Sequence, residues 1–225
     1  VEEFAAAFDS LSSILVGRSD EIEALKLCLL TRQHLMIEGP PGTAKSLLAE
    51  VASHCIEGAT FFSHQFMKGT VTDEIFGPMD SKAYREDARY HYNTEGMLPE
   101  CHFADLDEIY RASDMLLPAM FRILNERWFK NGTQRQKCPL ITAVGTTNFT
   151  TENDELLAFH DRWLCKSYVL PLASANDRIT VLERFLQRER GKGVKPTKVH
   201  LHRLEAIHAV LPEVKVGSET LSLFE

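Results

Sequence analysis

The stretch HLMIEGPPGTAKSLLAEVASHC, beginning at His34, constrains this chain more than any other. His34 to Glu38 is short and apolar and runs straight into Gly-Pro-Pro-Gly, which suits a buried parallel strand. Lys45 onward reads as a helix. Strand, glycine-rich turn and helix together turn a loose match to G-x-x-x-x-G-K-[ST] into a phosphate-binding expectation. Backbone N–H groups between Gly39 and Lys45 converge on phosphate oxygens, helped by the positive end of the following helix. Gly39, Pro40, Pro41, Gly42, Thr43, Ala44, Lys45, Ser46 and Leu47 are the candidate nucleotide contacts. Within them, Lys45 supplies a charge to the terminal phosphates and the Ser46 hydroxyl binds Mg²⁺. Ala44 stands where the pattern has its second glycine. Its methyl group calls for a negative φ, or else a strain of roughly 1 kcal/mol. The bland alternative is a glycine-proline turn that happens to precede a Lys-Ser helix start.

The rest of the chain supports an α/β reading. Apolar strands are expected at TFFSHQF from Thr60, CHFADLD from Cys101, PLITAVGTTN from Pro139 and WLCKSYVL from Trp163. Helical patterns separate most of them. DEIEALKLCLL carries Ile22, Leu25 and Leu29 on one face, and DMLLPAMFRILNER carries Leu117, Met120, Phe121 and Leu124. Strands alternating with helices imply a mostly parallel sheet covered on both faces. Two excursions interrupt the alternation. Residues 77–100 are too long and polar for a simple connection, and Asn131-Gly132 signals a tight hairpin over about 128–137. After Pro171 the strands cease. Ser174 reads as an N-cap, Ile179, Leu182 and Leu186 share a face, and Gly191 closes the helix. A core over 1–172 and a partial helical domain over 173–225 are therefore expected. Ser218 is a candidate cap of one more helix, and the chain reads as part of something longer.

A formal net charge of −7 argues against a general nucleic-acid coat, since phosphate contacts need clustered Lys and Arg. Five scattered cysteines (Cys28, Cys55, Cys101, Cys138, Cys165) form no C-x-x-C and read as reduced thiols of a cytoplasmic protein. No apolar run approaches the ~18 residues of a membrane span. His54-Cys55, Cys101-His102 and His200/His202 show no paired metal-ligand spacing.

A second acidic site decides more than the loop. FADLDEI places Asp107 and Glu108 at a strand end, and neighbours on a strand point to opposite faces. Asp107 then suits the Mg²⁺ shell and Glu108 the water that attacks the γ-phosphate. Two solvated acids in a loop are the alternative. Asp105 lies on the Asp107 face of a strand expected to be buried, where an unpaired carboxylate is costly; the sequence leaves open whether it is paired or near an edge. Asn148 ends the next strand and either orients the water beside Glu108 or simply caps a turn.

GPPGTAKS, DEIYRA, LNERWFKNG, TTN and DRW, in this order, resemble the MoxR branch of the AAA+ ATPases. TDEIFGP…YHYNTEGMLPE is similar to the RavA-like group within it. The family is known to write Ala at the position of Ala44. The resemblance implies a P-loop NTPase core with a helical lid. It makes Lys45 and Ser46 Walker A contacts, Asp107 and Glu108 the Walker B pair, Asn148 sensor 1, and Arg162 an arginine finger reaching a neighbour's nucleotide. A finger is useful because a loose phosphoryl transition state spreads negative charge. Without the resemblance, Arg162 beside Asp161 would read as a surface ion pair. Val16 and Gly17 in ILVGR become adenine-side contacts, residues 77–100 the helix-2 insert, and 128–137 the hairpin before sensor 1. Asp105 departs from the family, which has an apolar residue there, and no residue matches sensor 2.

The implied function is Mg-dependent ATP hydrolysis in a homo-oligomeric ring, a hexamer, that remodels or activates a protein client with a von Willebrand A domain partner. Three alternatives stay open: a small-molecule kinase, a DNA-stimulated motor, and a nucleotide-regulated binding module without turnover.

Overall fold

The computed structural model describes residues 2–87, 90–113, 115–148 and 159–214. The helix expected at Ser218 lies outside them. The first half runs α1 (Glu2–Asp9), α2 (Ser19–Thr31), β1 (Leu35–Glu38), α3 (Lys45–Ser53), β2 (Ile56–Glu57), β3 (Phe61–Gln65), α4 (Thr72–Phe76), α5 (Ser81–Asp87) and β4 (Phe103–Asp107). It continues through α6 (Leu117–Phe121), β5 (Trp128–Asn131), β6 (Gln134–Lys137), β7 (Thr142–Thr147) and β8 (Cys165–Tyr168). Then come α7 (Ala175–Glu189), β9 (Val199–His200) and α8 (Leu201–Val210).

All five expected strands form one sheet, ordered β3-β4-β7-β1-β8 and parallel throughout. The sheet is apolar because helices cover both faces. One face packs Leu35, Ile37, Phe103 and Val144 under α1, α2 and α3; the other packs Met36, Ala104, Leu106 and Ala143 with Met120, Phe159 and Trp163. Parallel strands bring their carboxyl ends to one edge, so the ends of β1, β4 and β7 lie side by side. Among the described residues no helix is long and apolar enough to cross a membrane.

Two local expectations need correction. The run from Leu117 is α-helical only to Phe121, then widens into a π-turn over Arg122–Glu126 that ends at Arg127 in the left-handed region, φ 57°. The wider turn buries Ile123 as well as Leu124 and leaves Phe121 only partly covered. The hairpin turn is centred one residue later than Asn131-Gly132, because Asn131 pairs with Gln134 as the last strand residue. Its buried amide instead accepts from Tyr92 N at 2.7 Å and donates to Tyr92 O at 3.1 Å. The hairpin and the 77–100 insert are thus fastened together. Ile179, Leu182 and Leu186 share a face of α7 as expected; they are about half exposed, and α7 buries none of its residues. Its cap is as expected, with Ser174 Oγ accepting from Asp177 N at 3.3 Å. Residues beyond it return to the core, where β9 pairs with β2 and Leu204 is fully buried.

Gly145 at the middle of β7 is required by close approach. A Cβ there would lie 2.7 Å from the Trp163 indole and 3.2 Å from Met36 Cε. This contact seats the segment that carries Arg162 against the sheet. Gly145→Ala is expected to lower stability by about 1–3 kcal/mol through overpacking, read from the urea midpoint. A change within about 0.5 kcal/mol would show that Trp163 repacks freely.

Candidate functional site

The turn between β1 and α3 is built on three residues with positive φ, Gly39, Gly42 and Ala44. Gly39 has φ 151°, and a Cβ on it would come within 2.3 Å of Val169 O, so only glycine fits. Ala44 caps α3 with φ 65° and ψ 28°. The negative φ allowed for Ala44 is therefore not adopted; the residue holds the glycine conformation and carries the strain of about 1 kcal/mol instead. Thr43 Oγ1 donates to Pro40 O at 2.9 Å, stiffening the turn. Pro41 and Gly42 form its exposed crown. Ser46 and Leu47 follow on the first turn of α3, both partly covered.

Lys45 is buried, and its three N–H donors are all placed. Nζ donates to Gly39 O at 2.8 Å, Pro40 O at 3.0 Å and Asn148 Oδ1 at 2.8 Å. Burial pushes its pKa down; the carboxylates of Asp107 and Glu108 work against that, and the Arg18 guanidinium reinforces it. The Asn148 amide continues the chain, since its Nδ2 donates to Glu108 Oε1. The network fixes the amide's orientation: oxygen toward the ammonium, nitrogen toward the carboxylate. Lys45, Asn148 and Glu108 are thus joined from three separate elements.

Asp107 ends β4, and Thr146 Oγ1 donates to its Oδ1. Glu108 is not a strand residue. It turns out of β4 with φ 54° and ψ 41° and caps a short 3₁₀ turn. The two acids diverge because the backbone reverses hand between them, not through strand alternation. Glu108 Oε2 is buried without a hydrogen bond, with Arg111 Nε 3.4 Å away.

A cavity of about 750 Å³ adjoins the loop, lined on its apolar side by Ile14, Val16, Leu47, Leu172, Val181 and Phe185 and reaching Gly42, Thr43 and Ala44. Val16 is part of that lining. Gly17 is not part of the lining; its carbonyl accepts from Arg18 Nη1 at 2.7 Å. Arg18 itself was not singled out by sequence reasoning. It is buried, donating through Nε to Thr43 O at 3.0 Å and through Nη2 to Leu170 O at 3.2 Å. It clamps the loop to the segment that follows β8. Its signal was a lone arginine after the apolar ILVG.

Arg162 is placed elsewhere and exposed, its guanidinium 4.3 Å over the Phe121 ring. Asp161, its expected ion-pair alternative, lies 3.9 Å from Lys166.

Asp105 is buried on β4 and half satisfied by the edge strand: Ser63 Oγ donates to Oδ2 at 3.2 Å, while Oδ1 has no hydrogen-bond partner. Burial, then the neighbouring Asp107 charge, raise its pKa from 3.8 to about 7. The fold then holds this proton more tightly than the unfolded chain does. Its contribution is fullest below the ordinary carboxylate value and is lost as pH rises toward about 7. Asp105→Asn is expected to remove that loss. In chelator, its urea midpoint should exceed wild type by more at about pH 8 than at about pH 5. Equal pH slopes in both proteins would contradict the burial argument.

Comparison with known proteins places this geometry. A model of the MoxR domain in the MoxR-vWA-beta-propeller ternary systems matches residues 2–209. An uncharacterised protein of Methanocaldococcus jannaschii is 35% identical over 176 residues, covering 78% of this chain and 46% of its own length. The chaperone MoxR1 of Mycobacterium tuberculosis is 29% identical over 170 residues, covering 74% and 44%. The chain thus spans less than half of these curated relatives. A crystal structure of a candidate ATPase from Cytophaga hutchinsonii superposes with a TM-score of 0.76, covering 96% of this chain and 65% of that one at 18% identity. That likeness bears on the fold, which is the α/β core of the AAA+ ATPases. The match across 2–209 settles the family: this chain belongs to the MoxR domains of the MoxR-vWA-beta-propeller ternary systems.

Proposed function

We propose that this domain binds ATP and hydrolyses it at a site completed by a neighbouring copy, in a ring that remodels or activates a protein client. The observation that carries this reading is the Lys45–Asn148–Glu108 chain, which joins the loop to an acid and an amide at adjacent strand ends. The loop carbonyls of Gly39 and Pro40 accept from the Lys45 ammonium. A phosphate would exchange those neutral acceptors for charged oxygens, a stronger hydrogen bond for the same donors. Glu108 orients water and accepts its proton, and Asn148 keeps that carboxylate aimed. Ser46 and Asp107 offer the hard oxygen donors that Mg²⁺ takes, so they are the residues to hold it. The bound ion would neutralise charge developing on the phosphates.

Arg162 fits a role in trans. It is exposed, it is not part of the Lys45 network, and a ring would present it to the next subunit's triphosphate. A hexamer, a von Willebrand A domain partner and a cytoplasmic setting belong to the same proposal, as do a RavA-like reading of residues 72–78 and 90–100 and a lid boundary near Ala173. The family model's description, which groups these domains with vWA and beta-propeller components, supports such a partner. The joined hairpin and insert would then face the ring's pore or the client.

Two variants test the reading. Glu108→Gln should bind ATP within about two-fold of wild type and lose at least ~100-fold in turnover. Mixing Lys45→Ala with Arg162→Ala subunits, each inactive alone, should restore phosphate release, because some sites then pair an intact loop with an intact arginine. Unchanged turnover in Glu108→Gln, or no recovery in any mixture of assembled protein, would contradict it. Phosphoryl transfer to a metabolite would favour a kinase, stimulation by DNA a motor, and absence of wild-type turnover a binding module.

A further inference from the structure

Outside the proposed catalytic groups, one polar cluster has no role yet. His160 Nδ1 is hydrogen-bonded to Tyr110 Oη and also lies 3.4 Å from Glu38 Oε1. That Glu38 oxygen is buried and has no hydrogen-bond partner. The Tyr110 hydroxyl is held above its usual pKa by burial and then by the Glu38 carboxylate, which brings all three groups into one cluster.

The cluster's position in the chain is informative. Glu38 is the last residue of β1 and precedes Gly39 of the loop. Tyr110 follows Glu108 by two residues. His160 precedes Arg162 by two. The same side of the sheet carries Phe159, whose ring lies 4.7 Å from Phe121 and 5.8 Å from Trp163. Phe121 in turn lies under the Arg162 guanidinium. His160 and Arg162 thus sit on one short segment packed through Phe159 and Phe121.

Nδ1 has two partners and one position for a proton. Without a hydrogen it accepts from Tyr110; with one it donates to a single acceptor, and Glu38 Oε1 is the stronger because it is charged. The two arrangements exclude each other. One fastens the arginine segment to the turn after Glu108, and the other fastens it to the strand end before the loop. A buried acceptor left without a bond is costly, so the Tyr110 arrangement leaves Glu38 Oε1 favouring the exchange.

We propose that His160 is a positioning residue that couples Arg162 to the nucleotide site of its own subunit by exchanging Tyr110 for Glu38. It rests on the shared-site reading above, and mixing separates the two. A subunit with His160→Phe should present its arginine badly while keeping an intact loop. His160→Phe alone should lose about ten- to a hundred-fold in kcat, with ATP binding within about two-fold of wild type. Mixed with Lys45→Ala subunits, which keep an intact arginine segment, it should recover phosphate release. Mixed with Arg162→Ala subunits it should not, because the two lesions strike the same function. His160→Asn, which keeps a hydrogen-bonding group near the Nδ1 position, should retain most of the turnover. Tyr110→Phe, which preserves the ring, serves as a second probe in the same mixtures should His160→Phe fail to fold. Recovery of either probe with Arg162→Ala, or full activity of Tyr110→Phe and His160→Phe alone, would overturn the proposal. Failure of the Lys45→Ala and Arg162→Ala pair would bring down the shared site and this coupling together.

Discussion

A buried ammonium needs acceptors, and the fold around Lys45 is organised by that need. Its three donors reach two carbonyls of its own loop and one side-chain amide just past β7. The parallel order β4-β7-β1 makes this possible, because it sets the carboxyl ends of those strands beside one another. Asn148 can then bridge the loop after β1 and the acid after β4. No single strand end could hold an ammonium, an amide and a carboxylate in one line. Three adjacent ends can.

Strain is concentrated at the same place. Among the described residues four non-glycine positions have positive φ, and two of them are Ala44 and Glu108. Each begins a helical turn at the carboxyl edge of the sheet, one aiming the loop's N–H groups and the other swinging a carboxylate out of the strand. Left-handed backbone at non-glycine residues costs about 1 kcal/mol or more and persists where surrounding structure over-determines it. Here Arg18 grips the loop at Thr43, and Asn148 grips Glu108. The groups that hold the strain are also the groups that hold the site.

Much of this was legible in the sequence, for stated physical reasons. The five sheet strands announced themselves as short apolar runs because parallel strands are buried on both sides. The loop and the two acids were singled out from spacing, and the fold does set them at adjacent strand ends. Contacts between distant segments left weaker traces. Arg18, Glu38 and His160 each look ordinary in sequence, and only the fold brings them to Thr43, to the Tyr110 hydroxyl and to one another. Asn131 misled for a related reason: a turn-forming residue was recruited to hydrogen-bond the insert instead. The apolar face of α7 showed a helix correctly, but periodicity states that a face is apolar, not what covers it. Asp105 was flagged as anomalous from strand position alone, and its half-satisfied carboxyl is that anomaly made physical.

The central claim is that Lys45, Ser46, Asp107, Glu108 and Asn148 converge on one triphosphate and its metal ion. A structure of the assembled protein with Mg²⁺ and a non-hydrolysable ATP analogue tests this most directly. The account predicts that Lys45 Nζ leaves the carbonyls of Gly39 and Pro40 for phosphate oxygens, with one ion shared by Ser46 and the Asp107 side. Nucleotide bound away from the loop, or Lys45 still held by its carbonyls beside an occupied site, would contradict it.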